Sequence, residues 1–355
     1  MPILLTFLRK FLYLLSHNDD IGPMKKETLN TIAERTGYSI TTVSRVLSGN
    51  ASKYRISKST CETVIGEARR CNYMPSQNAQ ILRSVKSGMI GLLVPSISNP
   101  FFADMASVVV TELRRKGYTT IVIDSMENET LMLDGVKSLI QRQVEGIIAI
   151  PCGENALALE RLGKQIPVVT IDRYYENTTL PFVTTNNYQG GLDGTNKLIA
   201  RGHRRIACIQ GATGSMPSRE RVRGYLDAMS AAGLLGESLV IGNDFTIRNG
   251  YLETKLLLSA PVRPTAIFTL SNTILLGALK ALGESSVKVP ADMALLSFDD
   301  NVFMDYLTPS IARMGQPTAD MATLAVKILL DKISGRTGGN SQIKLSPTFI
   351  QGESM

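Results

Sequence analysis

Ser39, Thr41, Thr42, Ser44 and Arg45 lie within one short stretch of the 355-residue chain, in "TLNTIAERTGYSITTVSRVLSG", residues 28–49. Hydroxyls give and take single hydrogen bonds, and a guanidinium presents a planar fork of donors. That combination suits phosphate oxygens and the edges of bases. Catalytic chemistry is poorly supplied elsewhere. There are two histidines, His17 and His203, and four cysteines without CxxC spacing. A disulfide frame or a zinc site is not expected, and a reducing cytoplasm fits the cysteine usage. Adjacent Asp299 and Asp300 could serve acid–base work, but on an extended chain they point to opposite sides. The chain has no GxxxxGK[ST], GxGxxG, GxSxG or HExxH. The expectation is a protein with no catalytic residues, no metal and no cofactor.

The elements that would carry the hydroxyl row are short helices. Leu29, Ile32 and Ala33 follow i, i+3, i+4 spacing, and Gly37 offers a left-handed stop. Ser39 is a good N-cap for the next helix, whose apolar stripe is Val43, Val46 and Leu47. Ile40, Thr41, Ser44 and Arg45 are then expected to face outward. Ser57 caps a third helix with Cys61, Val64, Ile65 and Ala68 on its apolar side. Three short helices with a glycine turn between the first two make a helix-turn-helix. "NYMPSQNAQILRSVKSG" follows, a proline-opened segment too short to be a stable helix alone, so a linker or a helix that orders on a partner.

The charge sits with these helices. Residues 25–87 hold 11 Lys/Arg and 4 Glu, which is the entire net excess of +7, and the remainder balances. A basic head on a neutral body points to a polyanion partner. The first 24 residues include "ILLTFLRKFLYLL", which is too short and too interrupted by Arg9-Lys10 to span a bilayer and lacks a cleavage signal. They read as an extension, with Met24 as a candidate initiator, and no membrane partner is expected.

From Met89 onward, apolar strand-like runs alternate with helices, which implies parallel sheets covered on both faces. The number of units suggests two doubly wound subdomains, whose ligands bind beyond the C-terminal ends of the strands. Those ends carry "SISNPFF", "DSMEN", "PCGEN", "DRYYEN", "GATGSMPSRER" and "FDDN", a mixture suited to a small polar molecule such as a sugar.

The residues quoted so far, with "IGLLVPSISNPFFADM", "VEGIIAIP", "IPVVTIDR", "RGHRRIACIQG", "RPTAIFTLSN", "VPADMALLSFDD" and "LTPSIARMGQP", resemble the lactose/galactose-repressor family of bacterial transcription regulators from about residue 28 to 350. The resemblance implies a multidomain fold, an all-α helix-turn-helix head on a periplasmic-binding-protein-like α/β body. It also implies a homodimer on near-palindromic double-stranded operator DNA. Ile40, Thr41 and Arg45 match the base-reading positions. Ala79 and Leu82 are the DNA-contacting hinge positions, and Leu82 matches the leucine that opens the central minor-groove step. A small-molecule effector, a sugar or sugar derivative, is expected in the body, with Asn99, Phe101, Arg173, Asn187, Arg221, Phe245 and Asn272 as candidate contacts.

The expected division is an extension at 1–24, the head at 25–74, the hinge at 75–87 and the body at 88–355. Within the body, the first subdomain is expected at about 88–186 with 301–319, and the second at about 187–300 with 320–355. Three departures stand out. Asn186 and Asn272 replace the usual aspartates. The loop "GNASKYRIS" is about three residues longer than usual, which brings Lys53, Tyr54 and Arg55 near the DNA and adds phosphate contacts through Lys53 and Arg55. No heptad tail follows the last strand, which favours a dimer over a tetramer. The reading is a cytoplasmic, nucleoid-associated repressor of a carbohydrate-utilisation operon. The competing readings are a sugar-binding protein or a sugar or nucleotide enzyme without DNA function.

Overall fold

The computed structural model describes residues 27–71, 73, 87–336 and 341–355. The chain divides into two compact units at Lys86–Ser87. The hinge positions Ala79 and Leu82 and the extension lie outside the described residues.

The head has three helices, α1 (Leu29–Thr36), α2 (Ile40–Leu47) and α3 (Lys58–Arg70). Each begins with a hydroxyl cap. Thr28, Ser39 and Ser57 accept the backbone N–H of Thr31, Thr42 and Thr60 at 3.1–3.3 Å. Gly37, at φ 72°, ends α1 in the left-handed region that a side chain would disfavour. Ile32, Ala33, Val43, Val46, Val64 and Ala68 form the small core. Two expectations fail here. Ser44 does not face outward but is only 8% exposed, because α2 packs on both α1 and α3 and its buried arc is wider than one stripe. Ile65, next to buried Val64, sits on the exposed rim of α3 instead of its apolar face.

The body is built on two six-stranded sheets. The first contains β1 (Met89–Val94), β2 (Thr119–Asp124), β3 (Gly146–Ala149), β4 (Val168–Ile171), β5 (Phe182–Thr185) and β11 (Gln342–Leu345), in the order β11-β5-β4-β3-β1-β2. All its pairings are parallel; Leu92, for example, lies beside Val122 and Ile148. Helices α4 (Pro100–Arg115), α5 (Glu129–Gln141) and α6 (Leu157–Gly163) cover it. The second contains β6 (Ile206–Ile209), β7 (Leu239–Ile241), β8 (Ala266–Thr269), β9 (Ala294–Phe298), β10 (Ala312–Gly315) and β12 (Thr348–Ile350), in the order β12-β10-β9-β8-β6-β7. Only β12 runs antiparallel in it. Its helices are α7 (Asn187–Ala200), α8 (Met216–Ala231), α9 (Ile247–Ser259) and α10 (Asn272–Glu284).

Helix α11 (Thr318–Ile333) corrects the expected subdomain division. The chain stays in the second sheet through β10, where Ala312 lies beside Leu296. It then returns to the first. Met321, Ala322, Ala325, Val326 and Leu329 of α11 join α4 in the first lobe's core, and β11 pairs with β5. The chain crosses once more to lay β12 on β10. Residues 301–315 therefore belong to the second lobe and 320–345 to the first, the reverse of the expectation. The short strands β10, β11 and β12, of which β11 and β12 lie at sheet edges, lack the continuous apolar runs that mark buried parallel strands.

Helices α7 and α8 pack unusually closely. A Cβ on Gly224 would collide with the carbonyl of Tyr188, and one on Gly191 with that of Arg221. This contact between glycine faces brings Arg221 of α8 to Asn187 at the start of α7.

Candidate functional site: an exposed helix face and a buried polar chamber

On the head, the outward side of α2 carries Ile40, which is 47% exposed, with Thr41 and Arg45 beside it. Ser39 caps α2, with its oxygen 2.9 Å from that of half-buried Thr42. Lys53, Tyr54 and Arg55 of the long loop are all exposed. The Arg45 guanidinium lies over the Tyr54 ring, 3.9 Å from its centroid. An apolar group, a hydroxyl and a guanidinium on one face match the groups that contact thymine methyls, phosphates and guanine edges.

In the body, the strand ends of the two lobes meet around a small chamber of about 30 Å³. Of the expected residues, Asn99, Phe101, Arg173, Arg221 and Phe245 line it. Asn99 also caps α4 through the Phe101 N–H at 3.1 Å. Asn187 does not line the chamber; it accepts the Arg221 Nε–H at 2.7 Å. Asn272 does not line it either. Its backbone N–H donates to Asp299 at 3.0 Å, while its buried side-chain amide meets no hydrogen-bond partner among the described residues. Asn186 caps α7 by accepting the Gln189 N–H.

Sequence reasoning missed the chamber's acids. Glu127 grips Arg173 in a bidentate pair at 2.7 and 2.8 Å. Asp172 and Asp299 are buried, each just past a strand end. Their backbones are left-handed, at φ 64° and 75°, so the chain turns sharply there and the carboxylates face the chamber. Asp299 accepts from Gln316 at 2.7 Å and lies 3.8 Å from Arg221. Asp300 turns away and accepts the Arg313 Nε–H at 2.7 Å. The strand-end segments "DSMEN", "DRYYEN" and "FDDN" hold these acids, but sequence reasoning did not single out Glu127, Asp172 or Asp299 as contacts.

Burial dominates the electrostatics. It raises Asp172 to about 6, against the pull of Arg173 and Arg221. It lowers Arg221 despite Asp299 and Asp172. It also disfavours the Arg173 cation, but Glu127 outweighs it and that pKa is raised. Arg221 stacks on Phe298 at 3.7 Å, and Arg173 sits 5.3 Å from the Phe102 ring. Three buried atoms of the chamber residues have no hydrogen-bond partner among the described residues: Asp172 Oδ1, Arg173 Nε and Gln316 Oε1.

A larger cleft of about 850 Å³ adjoins the chamber and shares Glu127, Arg173 and Phe245 with it. An exposed ion pair between Glu176 of the first lobe and Arg219 of the second, 3.1 Å long, spans its mouth. Thirty cubic ångströms is about the volume of one water, whereas ligand sites run to about 300–1,000 Å³. The adjoining cleft, rather than the chamber alone, has the volume of such a site.

Fold and site together define a class: a basic three-helix helix-turn-helix head on a two-lobed body with a polar chamber between its lobes. The family model for bacterial regulatory proteins of the lacI family matches residues 28–76, and that for a periplasmic binding protein-like domain matches residues 195–355. The ribose operon repressor of Haemophilus influenzae is 30% identical over 330 residues, 92% of this chain and 98% of that one. The crystal structure of the Lac repressor dimer bound to operator and an anti-inducer has the same fold. It aligns with a TM-score of 0.84 at 23% identity, over 93% of this chain and 99% of that one. A CelR–cellobiose complex aligns with a TM-score of 0.68 at 26% identity, over 93% of this chain and all of that one. The chain belongs to the lacI family of bacterial regulators. It is a ligand-responsive, DNA-binding transcriptional repressor of the metabolic-operon type, not an enzyme.

Proposed function

We propose that this repressor controls a carbohydrate-utilisation operon, and that its effector is a neutral, polyhydroxylated molecule of the sugar class bound in the lobe chamber. The carrying observation is the mixed set of unpartnered buried atoms, two acceptors and one donor, on Asp172, Gln316 and Arg173. A sugar hydroxyl is both donor and acceptor and satisfies such a set, whereas an apolar ligand leaves it unpaired at a cost of about 1–3 kcal/mol per group. The two charged arginines already have carboxylate neighbours, which disfavours an anionic ligand beside Glu127, Asp172 and Asp299. The cellobiose bound in the CelR complex is of the expected chemical class.

The protein acts as a homodimer in the cytoplasm, at the nucleoid. Arg45, Thr41 and Ile40 read operator bases, and Ser39, Thr42, Lys53 and Arg55 serve the phosphate backbone. Ser44 contributes by holding α2 in place. Ala79 and Leu82 engage the minor groove from the hinge. An effector that prefers one lobe arrangement shifts the DNA affinity by its differential binding to the two states.

A thermal-shift screen against pentoses, hexoses, disaccharides and nucleobases tests the effector class, since a ligand of the native state raises the melting temperature. A stabilising sugar that also changes affinity for the DNA upstream of the gene supports the proposal. Stabilisation only by nucleobases or by organic acids contradicts it.

A further inference from the structure

We infer that Tyr54 is a positioning residue for DNA recognition: its ring holds the Arg45 guanidinium in a fixed plane, so the long loop after α2 acts as an intramolecular clamp on the base-reading arginine. The inference rests on the proposed role of Arg45 and adds to it a residue that acts through Arg45.

The contact is specific. The guanidinium carbon of Arg45 lies over the Tyr54 ring, 3.9 Å from its centroid. Among the described residues Arg45 pairs with no carboxylate, so the ring is what orders its head group. Stacking uses the face of the guanidinium and leaves its N–H groups pointing outward in the plane. Those N–H groups are what a guanine edge accepts in a bidentate contact. The platform and the base therefore use different parts of the same side chain.

The loop is itself held in shape. The Tyr54 N–H donates to the carbonyls of Asn50 and Ala51 at 3.3 and 3.2 Å, and the Ile56 N–H closes the loop on Ala51 at 3.0 Å. Arg55 adopts φ 54°, a left-handed conformation that turns the chain directly after Tyr54. Ala51 and Ile56 pack on the core of the head, which ties both ends of the loop to the scaffold. Tyr54 remains 44% exposed, a large ring kept at the surface beside the reading face. Lys53 Nζ lies farther from the same ring, at 5.8 Å, near the outer limit of about 6 Å for such a contact. A free arginine loses much rotamer freedom when it binds, and a stacked one has already lost it.

The test uses the full-length chain and the duplex it selects from a random library, with a scrambled duplex of the same composition as control. Affinities are measured for wild type, Y54F, Y54A, R45A and R45A/Y54A. Y54A is expected to weaken the selected duplex about two- to thirtyfold, the range of a cation–π contact between exposed and desolvated limits. The scrambled duplex and the slope of affinity against salt should change little, because no phosphate contact is lost. Y54F keeps the ring and should retain most of the affinity. In the R45A background, Y54A should add no more than about twofold, since coupled residues are not additive. An equal loss from Y54A with and without Arg45 would overturn the inference, as would a Y54F loss as large as that of Y54A. If R45A itself costs nothing on the selected duplex, the base-reading role of Arg45 fails first, which is a distinguishable result.

Discussion

The head and the body use arginine in opposite ways. Arg45 is exposed, unpaired with any carboxylate among the described residues, and backed by an aromatic ring. Arg173 and Arg221 are buried and already surrounded by Glu127, Asp172 and Asp299. An exposed cation can exchange water and counterions for a polyanion, and binding of that kind is steeply salt-dependent. A buried, neutralised cation is costly to place and holds one geometry, which suits selecting a neutral ligand by its hydroxyl positions. The difference separates attraction from discrimination: the head attracts DNA and reads it with a few side chains, and the body discriminates among small molecules.

The largest effect expected from breaking this contrast is at Arg221. R221M leaves buried Asp299 without its counterion, whereas Asp172 keeps Arg173 at 3.9 Å, and should destabilise the body by about 3–5 kcal/mol. A thermal melt of the full chain checks this, together with loss of any effector-induced shift. An unchanged melting temperature would show that Arg221 is not the chamber's charge balance.

The next effect concerns Asp172, whose folded pKa of about 6 lies above the ordinary carboxylate value. A raised carboxylate binds its proton more tightly in the native state. Its contribution therefore favours folding at low pH and is lost as pH rises from about 4 through 6. D172N should then stabilise the chain near pH 7.5, by an amount on the order of 1–3 kcal/mol, with the gain vanishing near pH 4. It should also weaken effector binding, because an acceptor is lost. A stabilisation that does not depend on pH would contradict burial as the cause.

At the head, R45A should cost about 1–3 kcal/mol on the selected operator and much less on scrambled DNA. An equal loss on both would reduce Arg45 to a phosphate contact. The smallest expected effect is S39A, which removes the cap of α2 and should cost about 1 kcal/mol of head stability. Hydrogen exchange of the Thr42 amide, which donates to Ser39 at 3.1 Å, reads it directly.

The head was legible because its signals are local. Ser39 and Ser57, read as caps from the sequence, cap through residues three positions on, and Gly37 stops α1 through its own backbone. Ser44 was misplaced because its burial depends on two neighbouring helices, which a single-helix stripe does not contain. In the body, the apolar runs of β1, β3, β6 and β8 announced parallel strands. The return of α11 to the first lobe did not show, because an amphipathic helix does not declare which sheet it covers. The chamber was half legible. Arg173, Arg221, Asn99, Phe101 and Phe245 came from the family resemblance. Glu127, Asp172 and Asp299 become functional only when strand ends far apart in sequence converge. Asn272 shows the reverse: a sequence departure at a candidate contact whose backbone, not its side chain, holds Asp299.

The most direct test is to compare the affinity of the full-length chain for the duplex upstream of its own gene with that for a scrambled duplex, at two salt concentrations. The expected result is a preference of about a thousandfold or more for the upstream duplex, with both affinities falling steeply as salt rises. Equal affinity for the two duplexes at both salt concentrations would contradict the assignment of the exposed α2 face to sequence-specific recognition.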